Sequence, residues 1–213
     1  MLKLIKQNLR FTALYLATVL VVIVALKFIT GGALSPPFVI LSGFLAYMLA
    51  FGIIYVIEQY EEKHHGYVFL STLPINVREI VFSKFLRVLI AEIIFIGAAI
   101  LLLSFSSAST DQLVVAHSWI LLNGLIALVL GALALIGLFS TSYTTFLKIS
   151  MVLLVFLQMI PLLLMSSGKM QTFIEGTTKF LSTVNWLIWI PVGLLVYFGL
   201  MVAAIKVKTL RRC

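Results

Sequence analysis

Charge is scarce in this chain. Charged residues occupy 10% of its 213 positions, and only seven are acidic. Soluble domains carry roughly 25% charged residues, so a water-soluble globule is excluded. Cysteine is nearly absent: the single Cys213 cannot form an internal disulfide, and the redox compartment is not readable. The phosphate-binding pattern G-x-x-x-x-G-K-[ST] is missing. Gly168-Lys169-Met170 lacks both the earlier glycine and the hydroxyl, so ATP hydrolysis by this chain is not expected. H-E-x-x-H is missing too, and the adjacent His64 and His65 face apart on a helix, which suits no metal. No nucleophile–base pair is recognisable, so an enzyme is not expected, nor a metal or cofactor held by the chain itself.

What the chain does have is hydrocarbon: 62% hydrophobic residues and a mean hydropathy of +1.20. Its apolar residues fall in blocks, and a run of about 18 or more reads as a membrane span. Each span must be helical, because backbone amides in lipid find no water to bond. The sequence predicts an all-α, polytopic membrane protein forming one transmembrane domain over 1–213. Six spans are expected at about 12–29, 38–57, 88–105, 119–139, 149–165 and 186–205. Residues 1–10 place Leu2, Ile5 and Leu9 on one stripe and Lys3, Lys6 and Arg10 on another, the pattern of an interfacial helix. A signal peptide fits less well, since the apolar run continues to Ile29 without a cleavage site. No internal repeat or low-complexity segment is visible.

The net charge of +8 is divided among short loops rather than gathered on one face, so nucleic-acid binding is not expected. Six spans put both termini on one side. Twelve Lys/Arg fall on that side: three in the N-terminus, four in 58–87, one in the 140–148 loop and four in the tail. The other side holds Lys27, Lys169 and Lys179. The positive-inside rule then places both termini in the cytoplasm, and Trp119, Trp186 and Trp189 form an aromatic belt at the outer ends of spans four and six. The stretch 166–185 between the last two spans holds the breakers Gly168 and Gly176. Gln158 and Pro161 predict a kink in the fifth span.

The densest polar stretch is 58–87, EQYEEKHHGYVFLSTLPINVREIVFSKFLR. It contains Glu58, Glu61, Glu62 and Glu79, and with them Lys63, Arg78, Lys84 and Arg87. The second span has no breaker after Ile57, so its helix is expected to leave the membrane and run toward Gly66. Pro74 ends a short apolar patch. Asn76 with Glu79 three positions on is a capping-box pattern, starting a helix near Val77 that continues into the third span. The result is a cytoplasmic helical hairpin. At its tip Tyr67, Phe69, Leu70 and Leu73 either meet another protein or fold back as an interfacial helix.

Leu70, Thr72, Leu73, Pro74, Ile75, Glu79, Ile80, Val81, Ser83, Lys84 and Phe85 make this stretch resemble bacterial type-2 ABC exporter permeases. The motif covers about thirty residues, while the six-span layout and basic tail extend the likeness to the whole chain. Among small members, it resembles the permeases of exporters for phenol-soluble-modulin or lantibiotic-like peptides. The resemblance implies a coupling element using Glu62, Gly66, Tyr67, Phe69, Leu70, Thr72, Leu73, Pro74 and Glu79, seated on a separate P-loop ATPase that holds ATP and Mg. It also implies two permeases per complex, this chain paired with a copy or a paralogue, and a short outer gate helix between Gly168 and Gly176 in the stretch 166–185. The location implied is the bacterial cell membrane, and the cargo an amphipathic peptide. Lipid-like or drug cargo, and an ATP-independent channel or secondary transporter, are the alternatives. Neither broken helix pairs nor a proton relay of acids favours the latter.

Two further features stand apart from that motif. Glu92 is the one acid inside a span, a placement costing about 2.5–3.5 kcal/mol at mid-bilayer and functional by default. It reads either as lining a translocation path or as a structural partner for a base such as Arg87. The fourth span carries Gly124, Ala127 and Gly131, a small-residue face for close helix packing within the chain or between copies. Glu61-Glu62 resembles part of a membrane-protease motif, but Gly66 stands where that motif needs arginine.

Overall fold

The computed structural model describes residues 36–63, 76–104, 110–141, 145–146, 148–150 and 166–210, with Ala13, Ala17, Val21, Val152, Met159 and Leu163 as isolated positions. The expected interfacial helix 1–10, the insert tip 64–75, and nearly all of the predicted spans 12–29 and 149–165 lie outside the described residues. So does the Gln158–Pro161 kink.

Five helices make up the described fold: α1 (Pro36–Lys63), α2 (Val77–Ser104), α3 (Thr110–Ser140), α4 (Met170–Thr183) and α5 (Trp186–Leu210). Among the described residues there is no strand. Three stretches are long and apolar enough to cross a bilayer: Val77–Ser104, Leu113–Ser140 and Trp186–Thr209. Within α1 the apolar part identified is the shorter Leu45–Val56.

Local chemistry explains where the helices begin. Pro36 opens α1, a position where the missing N–H costs nothing and the fixed φ is already helical. Ahead of α2, the Asn76 side chain accepts a hydrogen bond from the Arg78 amide at 3.2 Å. Asn185 does the same for the Leu187 amide at 3.1 Å ahead of α5. Glu79 stands in the first turn of α2, where an acid suits the helix dipole, but its carboxylate makes no hydrogen bond among the described residues. The second half of the expected capping box is therefore absent.

Two boundaries differ from the sequence reading. Helix α3 begins at Thr110, nine residues before the expected fourth span at 119 and inside the stretch between the third and fourth expected spans. Polar residues at a helix start are favourable where they meet free amides and the dipole, and Asp111 sits there. Gly168 does break the chain, with φ at 67° just before α4. Gly176, expected as the second breaker, lies inside α4 instead. One glycine in an exposed helix costs about 0.5–1 kcal/mol relative to alanine, too little to stop a helix that docks an apolar face.

Helix α3 is the centre of the bundle and touches the other four. Its small-residue face is packed within the chain. A β-carbon at Gly131 would lie 3.3 Å from Val88 Cγ1 on α2 and 3.5 Å from Ala50 Cβ on α1. One at Gly124 would collide with the Ile96 side chain, and Ala127 is fully buried. Helix α5 lies on the outside, with Leu187, Ile188, Leu195 and Val202 exposed. It is tied inward by Tyr197, whose hydroxyl donates to the Phe85 carbonyl at 2.6 Å and whose ring meets Phe85 edge-on at 5.4 Å.

Close packing at Gly131 and open space at Gly176 predict opposite outcomes. Gly131→Leu should destabilise by about 1–3 kcal/mol, the usual range for overpacking. Gly176→Ala, with nothing within 4 Å of the new carbon, should be neutral or slightly stabilising. Thermal unfolding in detergent checks both. Tyr197→Phe should cost about 1 kcal/mol for the lost hydrogen bond in the same measurement.

Candidate functional site

Two polar layers interrupt the apolar bundle. The first lies at the end where α1 finishes and α2 begins. Glu58 on α1 and Lys84 on α2 form an ion pair, with both side chains almost wholly shielded at 1% and 3% exposure. Lys84 Nζ also stands 5.8 Å from the centre of the Phe139 ring on α3. Lys208 on α5 approaches the same ring, at 4.6 Å. Ammonium groups within about 6 Å of a ring centroid are attracted by its quadrupole. A continuous series of contacts thus runs α1–α2–α3–α5 through Glu58, Lys84, Phe139 and Lys208. Removing one member of a buried ion pair strands the other charge, a loss of about 3–5 kcal/mol.

This layer also fixes the directions of the helices. The C-terminal ends of α1, α3 and α5 and the N-terminal end of α2 meet in it. Helices α3 and α5 are therefore parallel, and α2 runs against both. At the opposite end, Trp186 Nε1 donates to Ser118 Oγ at 3.0 Å, and Trp119 faces Phe173 of α4 with ring centres 6.4 Å apart.

The second layer is deeper. Glu92 on α2 is fully buried, and neither carboxylate oxygen has a hydrogen-bond partner among the described residues. The pairing with Arg87 considered from the sequence is not made among the described residues, and the side chain does not snorkel to an aqueous edge. Five residues apart on a helix, the two side chains point about 140° from one another. The tyrosines of α1 and α5, Tyr47 and Tyr197, lie within electrostatic reach of Glu92. The Tyr47 hydroxyl donates to Asn123 Oδ1 at 3.1 Å, and Asn123 Nδ2 donates to the Trp119 carbonyl at 2.9 Å. A lone carboxyl in an apolar bundle is expensive. A path that lets a cation reach it would offset that cost.

Of the residues singled out for coupling, Glu79 is exposed at the start of α2, and Glu62 falls in the last turn of α1. Gly66, Tyr67, Phe69, Leu70, Thr72, Leu73 and Pro74 lie outside the described residues. Among the described residues no cluster of His, Cys, Asp or Glu could hold a metal ion. Sequence reasoning missed Tyr47, Asn123, Phe139, Tyr197 and Lys208. Each is ordinary inside or beside an apolar run, and only the packing of separate helices brings them together. The available signal was weak: polar side chains on spans tend to face the bundle interior.

Helix α4 completes the far end. It is the one strongly amphipathic helix among those described, with Leu181 buried and Lys179, Glu175 and Phe180 exposed. That is the composition of a helix lying along a membrane surface rather than crossing it.

No curated protein and no solved structure matches the chain. The family model described as "ABC-2 family transporter protein" matches residues 3–207, which is nearly the whole length, and the chain therefore belongs to the ABC-2 family of transporter proteins.

Proposed function

We propose that this chain is the membrane-spanning subunit of an ATP-driven exporter, coupled through residues 58–87 to a separate ATPase subunit. The observation that carries the reading is the match to a transporter family over residues 3–207 in a chain whose sequence has no phosphate-binding loop of its own. ATP and Mg would be held by the partner chain. Its binding of nucleotide would move the 58–87 insert, and that displacement would enter the bundle through α1 and α2, the two helices that frame the insert. A second permease, a copy or a paralogue, completes the assembly. The excess of Lys and Arg on the insert side supports a cytoplasmic placement of the insert and both termini, in a bacterial cell membrane.

The cargo that fits best is an amphipathic peptide with cationic side chains. The bundle interior is largely apolar, and Glu92 is a buried carboxyl that would attract a cation. In the state described here the bundle is closed around it, so cargo reaches Glu92 only after the helices move. Only a state-dependent difference in binding can drive such a movement.

Two measurements test this. Co-purification of the complex with its ATPase should be abolished by Leu70→Asp, which puts a charge in the apolar tip of the insert. Persistence of the complex in that variant removes the coupling assignment. Glu92→Gln should lower export of a cationic amphipathic peptide at least tenfold while complex yield stays unchanged. Equal export by that variant, or ATP hydrolysis stimulated by lipids or uncharged drugs and not by the peptide, refutes the cargo assignment.

A further inference from the structure

We infer that the Glu58–Lys84 pair makes the two arms of the insert move as one body, and that Phe139 and Lys208 pass that movement to α3 and α5. The inference rests on the coupling role proposed above and adds the residues that would perform it. Helices α1 and α2 are the two strands of chain that enter and leave the insert. A partner pushing on the insert would load both, and without a connection it could displace one arm and leave the other in place.

The connection has the physical character the task needs. Glu58 and Lys84 attract each other where water is nearly excluded, so their interaction is little weakened by solvent or salt. It joins residues 26 apart in sequence, one on each arm. Beyond the pair, Lys84 and Lys208 approach the same buried Phe139 ring at 5.8 Å and 4.6 Å. Two cations on one ring tie α2 and α5 to the end of α3, the helix in contact with every other described helix. Displacement of the joined arms therefore reaches the central helix and the outer helix α5 together. Glu58 and Lys84 are positioning residues in this scheme; neither has to touch cargo or nucleotide.

The test uses the full complex with its ATPase in proteoliposomes, in a Cys213→Ser background. A spin label is attached at Leu195→Cys, a position 72% exposed on α5 and remote from the pair. ATP should change the label's mobility in the otherwise unaltered complex. Lys84→Met and Glu58→Gln should each abolish that change and reduce peptide exported per ATP hydrolysed about tenfold. The double Glu58→Gln/Lys84→Met removes both charges of the pair together, so it serves as the folding control and should assemble normally yet remain uncoupled. The exchanged pair, Glu58→Lys with Lys84→Glu, should restore both readouts to within about twofold.

A second arm joins the two sites covalently. With Glu58→Cys and Lys84→Cys, a short bifunctional thiol reagent should restore coupling in the assembled complex, because the arms are meant to move together. Loss of export on joining them would show that the pair opens during the cycle and would overturn the inference. Wild-type coupling in the uncrosslinked double neutral variant would overturn it too. An absence of any ATP-dependent change in the otherwise unaltered complex refutes the coupling role itself, and this inference falls with it.

Discussion

Helix α3 can hold α1 and α2 close because one of its faces carries little side-chain bulk, at Gly124, Ala127 and Gly131. At Gly131 the α1 and α2 surfaces come within van der Waals distance of the backbone, with Ala50 and Val88 as the nearest groups. In lipid there is no gain from hiding apolar groups from water, since the surrounding tails are equally apolar. Helices associate there through close contact of many atoms and through a few hydrogen bonds. Small residues permit that approach, and the rest of the arrangement follows from it. With α1 and α2 seated on α3, Glu58 meets Lys84, Phe139 stands under both lysines, and Tyr47 reaches Asn123.

The two polar layers differ in electrostatic kind. In the first, every charge named has an opposite charge or an aromatic face beside it, so its burial is largely compensated and the layer is stiff. In the second, the Glu92 carboxyl is buried with no hydrogen-bond partner among the described residues. Stiffness suits a part that passes movement along. An uncompensated group suits a part that changes partners when the bundle rearranges. The separation of the layers along α2, eight residues or about 12 Å at helical rise, places the stiff part next to the insert and the uncompensated part within the apolar interior.

Much of the architecture was legible beforehand, for reasons that can be named. The run of α2 from Val77 into the membrane follows from Asn76 as a cap and from the lack of any breaker before Gly97. A helix between the last two spans was expected from the family resemblance, with Gly168 before it as the breaker. Errors arose where a local rule competed with packing. Gly176 looked like a stop, but a single glycine is a small penalty beside a docked helix face. The polar residues at 110–112 looked like a loop, yet they serve as a helix start. The family assignment was legible because its motif is a contiguous run, which needs no knowledge of the fold.

The sequence by itself determined that the chain is helical and lives in a membrane, since a long apolar run in lipid has no other way to satisfy its backbone amides. It also determined which residues could carry charge there. Which of them meet was decided only by the tertiary structure. Glu58 and Lys84 are adjacent because α1 and α2 pack side by side on α3. Glu92 is isolated because Arg87 points another way around the same helix. Contacts between helices depend on rotation and register, and those are set by side-chain packing summed over the whole bundle rather than by any local pattern.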